Sequence, residues 1–145
     1  MWIRPAQDKD MKTIGELEKV CLPAGDVWSE VLISNMFSNS YDKIFVIEEE
    51  GAVRGYINIR DIGGDVDLMS ICVSPEYQRR GYAGLLMERV LALPYKQMIL
   101  EVRESNGPAI SLYEKFGFEK YARRSEYYTN PVEDAIIMIK KPEQT

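Results

Sequence analysis

The sequence predicts a mixed β-sheet with helices on its faces, an α/β fold in the order β-α-α-β-β-β-α-β-α-β-β, and three observations predict it. Between positions 43 and 73, three apolar runs follow one another across two short turns, Glu49-Glu50-Gly51 and Gly63-Gly64, which is the pattern of consecutive antiparallel strands. Beyond position 80, helical and strand patterns alternate, as in a βαβ crossover. No repeat, low-complexity tract or shift in composition marks a linker in the 145 residues. Positions 1–145 are therefore expected to form one domain around one sheet of about seven strands, with four helices.

Each element has a local reason. Positions 2–4 read as a short strand stopped by Pro5. Met11, Ile14, Leu17, Val20 and Cys21 recur at helical spacing, and Pro23 with Gly25 is expected to end that helix. Ser29 is placed to cap a second helix through Val31, Leu32, Asn35 and Met36, which breaks at Asn39-Ser40. Strands are expected over 43–48, 53–59 and 67–73, the last apolar enough to lie centrally and stopped by Pro75. Glu48-Glu49-Glu50 reads as a solvated turn. From Gly81, the positions Leu85, Leu86, Val90 and Leu91 mark an amphipathic helix that stops before Pro94. A strand over 97–103 follows, then a helix over 108–116 with Pro108 in its favoured first turn and Gly117 as terminator. Strands over 119–128 and 135–140 close the chain. Sheets of this kind bind ligands beyond the carboxyl ends of their strands, which directs attention to the segment joining Val73 to Gly81.

Composition narrows the chemistry before any motif does. The chain has no histidine, which excludes Ser-His-Asp and Cys-His nucleophile pairs, His-ligated zinc and a His pH switch. Proton transfers must fall to Asp, Glu, Tyr, Lys, Cys or water. Two cysteines, Cys21 and Cys72, make neither a disulfide framework nor a metal cluster, and no metal is expected. Cys72, in a central strand, reads as a small buried hydrophobe. With 18 Lys+Arg against 23 Asp+Glu the net charge is −5, which disfavours nucleic acid and fits a basic partner. No apolar run approaches the ~20 residues of a membrane span, and no signal-peptide pattern opens the chain. A cytoplasmic protein without a membrane partner is expected.

Two segments carry candidate chemistry. In the first, the strand ending at Val73 leads through Ser74-Pro75-Glu76-Tyr77-Gln78 into Arg79, Arg80, Gly81, Tyr82, Ala83 and Gly84. A basic turn here opens a helix, so backbone N–H groups converge where the helix dipole is positive, a geometry suited to a pyrophosphate. Gly81 allows close backbone approach. The spacing is neither a P-loop nor the dinucleotide fingerprint, and by itself it also reads as a solvated basic turn on an ordinary helix. The second segment is Leu100-Glu101-Val102-Arg103-Glu104-Ser105-Asn106, followed by Ile110-Ser111-Leu112-Tyr113-Glu114-Lys115-Phe116-Gly117-Phe118. A glutamate within an apolar strand needs a partner or a function. Glu101 reads either as a general base or as a strand-end carboxylate paired with an arginine such as Arg103. Tyr113, taken alone, reads as a core tyrosine with a satisfied hydroxyl.

Together these residues resemble the GCN5-related N-acetyltransferase (GNAT) superfamily, and within it the ribosomal-protein-alanine acetyltransferases of the RimI type. The resemblance runs through Ile3-Arg4-Pro5, the helix after Asp10, Trp28-Ser29-Glu30, positions 71–118, Arg123-Arg124, Tyr127-Tyr128 and Glu133-Asp134-Ala135-Ile136-Ile137-Met138. It implies the GNAT fold and acetyl-CoA as acetyl donor. It further implies that Ile71, Cys72 and Val73 pair through their backbone with the pantetheine arm, and that Arg79, Arg80, Gly81, Tyr82, Ala83 and Gly84 form the pyrophosphate loop. Asn106 would bind the cofactor, Glu101 accept the proton of the amine, and Tyr113 give a proton to the departing thiolate. Trp28, Tyr127 and Tyr128 would line a peptide groove. Ala83 stands where the family usually has Gly, and its N–H can still donate. Val27 precedes Trp28 where the family usually has Pro, and the connection over 61–65 is short. Both departures fall where the acceptor binds.

Elementary chemistry agrees with these roles. Acetyl transfer from a thioester to an amine needs a neutral amine, an oxyanion donor and a proton for the thiolate, and it needs no metal. At pH 7, deprotonating an α-amine of pKa near 8 costs roughly 1.4 kcal/mol, against roughly 4.6 kcal/mol for a lysine near 10.4. A carboxylate manages the first more easily, which favours an N-terminal acceptor. The implied partner is the N-terminal alanine of a basic small-subunit ribosomal protein, acetylated directly in a ternary complex. The alternatives are the same chemistry on a small-molecule amine or lysine side chain, and a non-catalytic acyl-CoA sensor.

Overall fold

The computed structural model describes residues 1–23 and 26–142. Seven strands form one sheet: β1 (Trp2–Pro5), β2 (Asp42–Glu49), β3 (Ala52–Ile62), β4 (Asp65–Val73), β5 (Gln97–Arg103), β6 (Glu119–Tyr128) and β7 (Glu133–Lys140). Four helices accompany them: α1 (Met11–Cys21), α2 (Glu30–Ser38), α3 (Tyr82–Leu91) and α4 (Gly107–Lys115). The element order is the expected one, and the sheet runs β1-β2-β3-β4-β5-β7-β6. Every neighbouring pair is antiparallel except β4 and β5, which α3 connects as a crossover. Among the described residues no helix is long and apolar enough to cross a membrane.

Element ends follow caps and pairing more closely than hydrophobicity. Ser29 caps α2, its Oγ accepting from the Leu32 N–H at 3.2 Å. α4 starts at Gly107, one residue before the expected Pro108, because the Asn106 side chain accepts from the Ala109 N–H at 3.2 Å. β4 starts at Asp65 because Gly63 and Gly64, with φ of 65° and 94°, make a two-residue turn that pairs Asp65 with Ile62. β7 starts at Glu133, opposite Tyr128. α1 closes at Cys21 with Leu22 extended; Gly25, expected to help end that helix, lies outside the described residues. The Ile3-Arg4-Pro5 motif is structural: the buried Arg4 guanidinium holds both carboxylate oxygens of Asp10 at 2.7 and 3.0 Å and reaches Glu48 at 2.7 Å.

The central strands β2, β3 and β4 are buried on both faces, which explains their nearly continuous apolar runs, whereas the edge strand β6 is exposed along most of its length. On β2, Phe45 and Ile47 pack toward α3 and α4, and Ile44 and Val46 toward α1 and α2. β4 changes sides partway. Asn58 pairs with Ser70 and Ile59 with Leu68, so Met69 bulges out unpaired. Val66 and Leu68 before the bulge, and Ile71 and Val73 after it, therefore all face α3 and α4, while Cys72 joins the α1–α2 cluster. Near the bulge, β4 leaves its neighbour. It pairs with β5 only from Asp65 to Asp67, against Gln97 to Ile99. Beyond that point the two strands part, and the gap between them is the site.

Candidate active site

A cleft of about 1710 Å³ opens where β4 and β5 diverge. Of the site residues expected from sequence, Ile71, Val73, Arg79, Gly81, Tyr82, Ala83, Gly84, Glu101, Asn106, Tyr113, Trp28, Tyr127 and Tyr128 all line it. Cys72 and Arg80 do not. The bulge turns the Cys72 side chain to the opposite face of the sheet, where it is buried among α1 residues. Its thiol donates to the Tyr56 hydroxyl at 3.8 Å, and the Cys21 thiol together with burial pushes its pKa up, as befits a packed thiol rather than a nucleophile. Arg80 instead lies over the Tyr77 ring at 4.7 Å, with Arg54 over the same ring at 4.6 Å.

One end of the cleft, the turn end, is built largely from backbone. Arg79 and Gly81 both adopt left-handed conformations, with φ of 63° and 83°. Gly81 caps α3 without a side chain, so the N–H groups of Tyr82, Ala83 and Gly84 have no acceptor among the described residues. A Cβ on Gly81 would meet nothing within 4 Å, so within the protein itself it is the positive φ that calls for glycine. The free edge of β4 from Leu68 to Val73 faces the same space. A run of unpaired donors on a positive helix end, continuous with an unpaired strand edge, fits a diphosphate followed by an amide-bearing chain. The Val73 carbonyl already accepts from the Cys21 thiol at 3.2 Å and the Gln78 amide at 3.0 Å. The acidic turn after β2 is more than a solvated loop. Glu49 accepts from the Tyr82 hydroxyl at 2.8 Å and Glu50 from the Tyr77 hydroxyl at 2.6 Å, bracing the start of α3.

Glu101 and Tyr113 both line the cleft, one from β5 and the other from α4. Glu101 lies on β5 just past the last β4 pairing, with its side chain 29% exposed to the cleft. The arginine nearest its carboxylate is Arg124 of β6, at 3.7 Å, and not Arg103 as sequence proximity had indicated. Tyr113, on α4, packs its ring against Phe118 at 5.9 Å. The core reading required a satisfied hydroxyl, yet that hydroxyl makes no hydrogen bond among the described residues. Burial pushes its pKa up to about 12, so it holds its proton at any physiological pH.

The other end, the loop end, is built from side chains. Trp28 and Asp26 come from the connection between α1 and α2; Tyr127, Tyr128 and Thr129 come from the end of β6 and the loop after it. Tyr127 and Tyr128 meet edge to face at 5.0 Å, and Arg124 lies over Tyr127 at 5.5 Å. The Glu101 carboxylate holds the Tyr127 hydroxyl proton more firmly than usual, and burial does the same for Tyr128. Sequence reasoning missed three supports of this end. Glu18, fully buried, accepts from the Tyr56 hydroxyl at 2.7 Å and from the Trp28 N–H at 3.3 Å, and burial raises its pKa. Its place on the apolar stripe with Ile14, Leu17 and Cys21 was the available signal. Asp26 and Arg103 pair bidentately at 2.8 and 2.9 Å, across a sequence distance that no local pattern reveals.

Comparison with known proteins bears directly on this arrangement. The sequence model of the acetyltransferase (GNAT) family matches residues 11–118. The Escherichia coli (strain K12) [ribosomal protein bS18]-alanine N-acetyltransferase is 34% identical over a 143-residue alignment covering 88% of this chain and 96% of that protein. The Mycobacterium tuberculosis N-alpha-acetyltransferase RimI is 27% identical over 134 residues, covering 89% of this chain and 85% of that protein. The crystal structure of the Escherichia coli ribosomal-protein-alanine enzyme superposes with a TM-score of 0.90 over 99% of this chain and 95% of that one, at 27% identity. With a family match over most of its length, a relative above 30% identity and a superposition over nearly the whole chain, the chain belongs to the GNAT family and is an N-acetyltransferase that takes its acetyl group from acetyl-CoA.

Proposed function

We propose that this N-acetyltransferase acts on the α-amine of a protein N-terminus, and that the N-terminal alanine of ribosomal protein bS18, the acceptor named for the Escherichia coli relative, is its substrate. The observation that carries this reading is the position of Glu101, at the point in one cleft where the backbone-built turn end meets the side-chain-built loop end. Acetyl-CoA, when bound, supplies an activated thioester. Arg79, Gly81 and the N–H groups of Tyr82, Ala83 and Gly84 hold its pyrophosphate; Arg80 adds positive charge from its place over Tyr77. The free edge of β4 at Ile71 and Val73 holds the pantetheine, while Cys72, opposite Tyr56, turns its backbone groups toward β3, and Asn106 at the start of α4 completes the donor site.

At the loop end, Trp28, Tyr127 and Tyr128 hold the incoming N-terminus. Glu101 takes the proton of the α-ammonium, directly or through water, and an α-amine of pKa near 8 makes that step inexpensive at neutral pH. Tyr113 keeps its proton until the thiolate, of pKa near 8.5, requires it. The net charge of −5 complements a basic ribosomal-protein tail, and such an acceptor puts the reaction in the cytoplasm. The test is transfer from acetyl-CoA to a basic peptide beginning with alanine, followed by thiol release and by mass at the peptide N-terminus. One acetyl group on the α-amine is the expected result. An inert peptide, with turnover of a polyamine or of free lysine, would overturn the reading in favour of a small-molecule acceptor.

A further inference from the structure

We propose that Arg103 is a positioning residue for the acceptor, tying the two connections at the loop end to the strand that carries Glu101. Arg103 ends β5 with its side chain 8% exposed, two residues beyond Glu101. Its Nε and Nη2 donate to the two carboxylate oxygens of Asp26 at 2.8 and 2.9 Å, capturing the connection between α1 and α2. Its Nη1 donates to the Pro131 carbonyl at 2.9 Å and to Glu133 at 3.2 Å, and its Nη2 also donates to the Thr129 carbonyl at 2.9 Å, capturing the connection between β6 and β7. The Tyr128 ring lies 4.5 Å from the guanidinium carbon.

A guanidinium has five N–H donors, and these five bonds engage all of them. Arg103 therefore has no donor left for a substrate, and its effect on the reaction passes through what it holds. What it holds is both walls of the loop end, at a fixed distance from Glu101. Lysine cannot replace it, because three donors on a flexible stem do not form the planar fork that grips Asp26. Glu133 reinforces the tie from its other oxygen, which accepts from the Ser105 N–H at 2.7 Å. Sequence reading placed Arg103 beside Glu101 as a local counter-charge; the fold spends it on residues 77 positions upstream and 26 to 30 downstream.

The proposal rests on the loop end being the acceptor site, and steady-state kinetics with acetyl-CoA and the alanine-initiated peptide varied separately test both. In Arg103→Lys and in Asp26→Asn the peptide KM is expected to rise about tenfold or more, with the acetyl-CoA KM within about twofold of wild type. The double variant should be no worse than the more affected single one, because both break the same tie. A merely structural role would lower the active fraction and leave both KM values alone. Asp26→Asn lies in a connection, so it carries the test if Arg103→Lys fails to fold. An unchanged peptide KM in the variants, or equal rises in both KM values, overturns the role of Arg103. A wild-type chain that ignores the peptide but acetylates a small amine overturns the acceptor reading instead, and the KM for that amine in the same variants then decides Arg103.

Discussion

At the turn end of the cleft, the chain offers backbone from one short stretch: the edge of β4, the left-handed turn at Arg79 and Gly81, and the first N–H groups of α3. At the loop end it offers side chains collected from distant places, with Asp26 and Trp28 before α2, Glu101 and Arg103 on β5, and Tyr127 and Tyr128 at the end of β6. With the cofactor and the acceptor placed as proposed, the difference teaches where specificity resides. A diphosphate is the same in every acetyl-CoA molecule and can be held by N–H groups that any sequence supplies once glycine permits the turn. An acceptor must be told from other amines, which takes particular side chains held in particular places.

This contrast can be broken most sharply where the two ends meet. Glu101→Gln should lower kcat by about 10³, and Tyr113→Phe by about 10², within the range for general acid–base groups. Calorimetry should find acetyl-CoA affinity within about twofold of wild type in both; turnover close to wild type in both variants would remove their assigned roles. Because burial holds Tyr113 near 12, no loss of rate from its deprotonation is expected up to about pH 10.

A turn-end change should spare the acceptor. Gly81→Ala forces a side chain into a φ of 83°, which costs about 1 kcal/mol of stability, and it puts a methyl group into the open space proposed for the pyrophosphate. The acetyl-CoA Kd should rise about tenfold while the peptide KM stays put; equal shifts in both would show that the two ends are not separable. The smallest effect concerns Glu18. Its folded pKa is raised above the ordinary 4.5 by burial, so the stability it contributes is full below that value and lost as pH rises through the folded pKa. Denaturant titrations should therefore show wild type losing stability relative to Glu18→Gln as the pH rises above the ordinary 4.5. Parallel curves would mean that the Glu18 carboxyl is not held in its buried, perturbed state.

Legibility follows the same division. Gly81, the basic turn and the strand–turn–helix around them were readable because everything they need lies within a dozen residues. Glu101 was readable as an anomaly, a charge inside an apolar strand, whereas Tyr113 taken alone read as a core tyrosine and only the family resemblance singled it out. Arg103 was misread for a physical reason. Residues two apart on a strand share a face, which made it the natural partner of Glu101, but a buried guanidinium goes where the most acceptors converge, and that was Asp26 with the loop after β6. The side of the sheet on which Cys72 lies turned on the bulge at Met69, which the apolar run over 67–73 does not record.

Local patterning and a histidine-free composition thus determined the order of elements and the kind of chemistry available, because periodicity, caps and functional-group inventory are properties of short segments; the roles proposed for Glu101 and Tyr113 follow from the family resemblance. Tertiary structure alone decided that β4 and β5 part after Asp67, that Arg124 rather than Arg103 faces Glu101, and that one guanidinium joins both walls of the loop end. Those outcomes depend on which surfaces meet when the sheet is assembled, and burial, which makes each unpaired charge expensive, selects the partners only then.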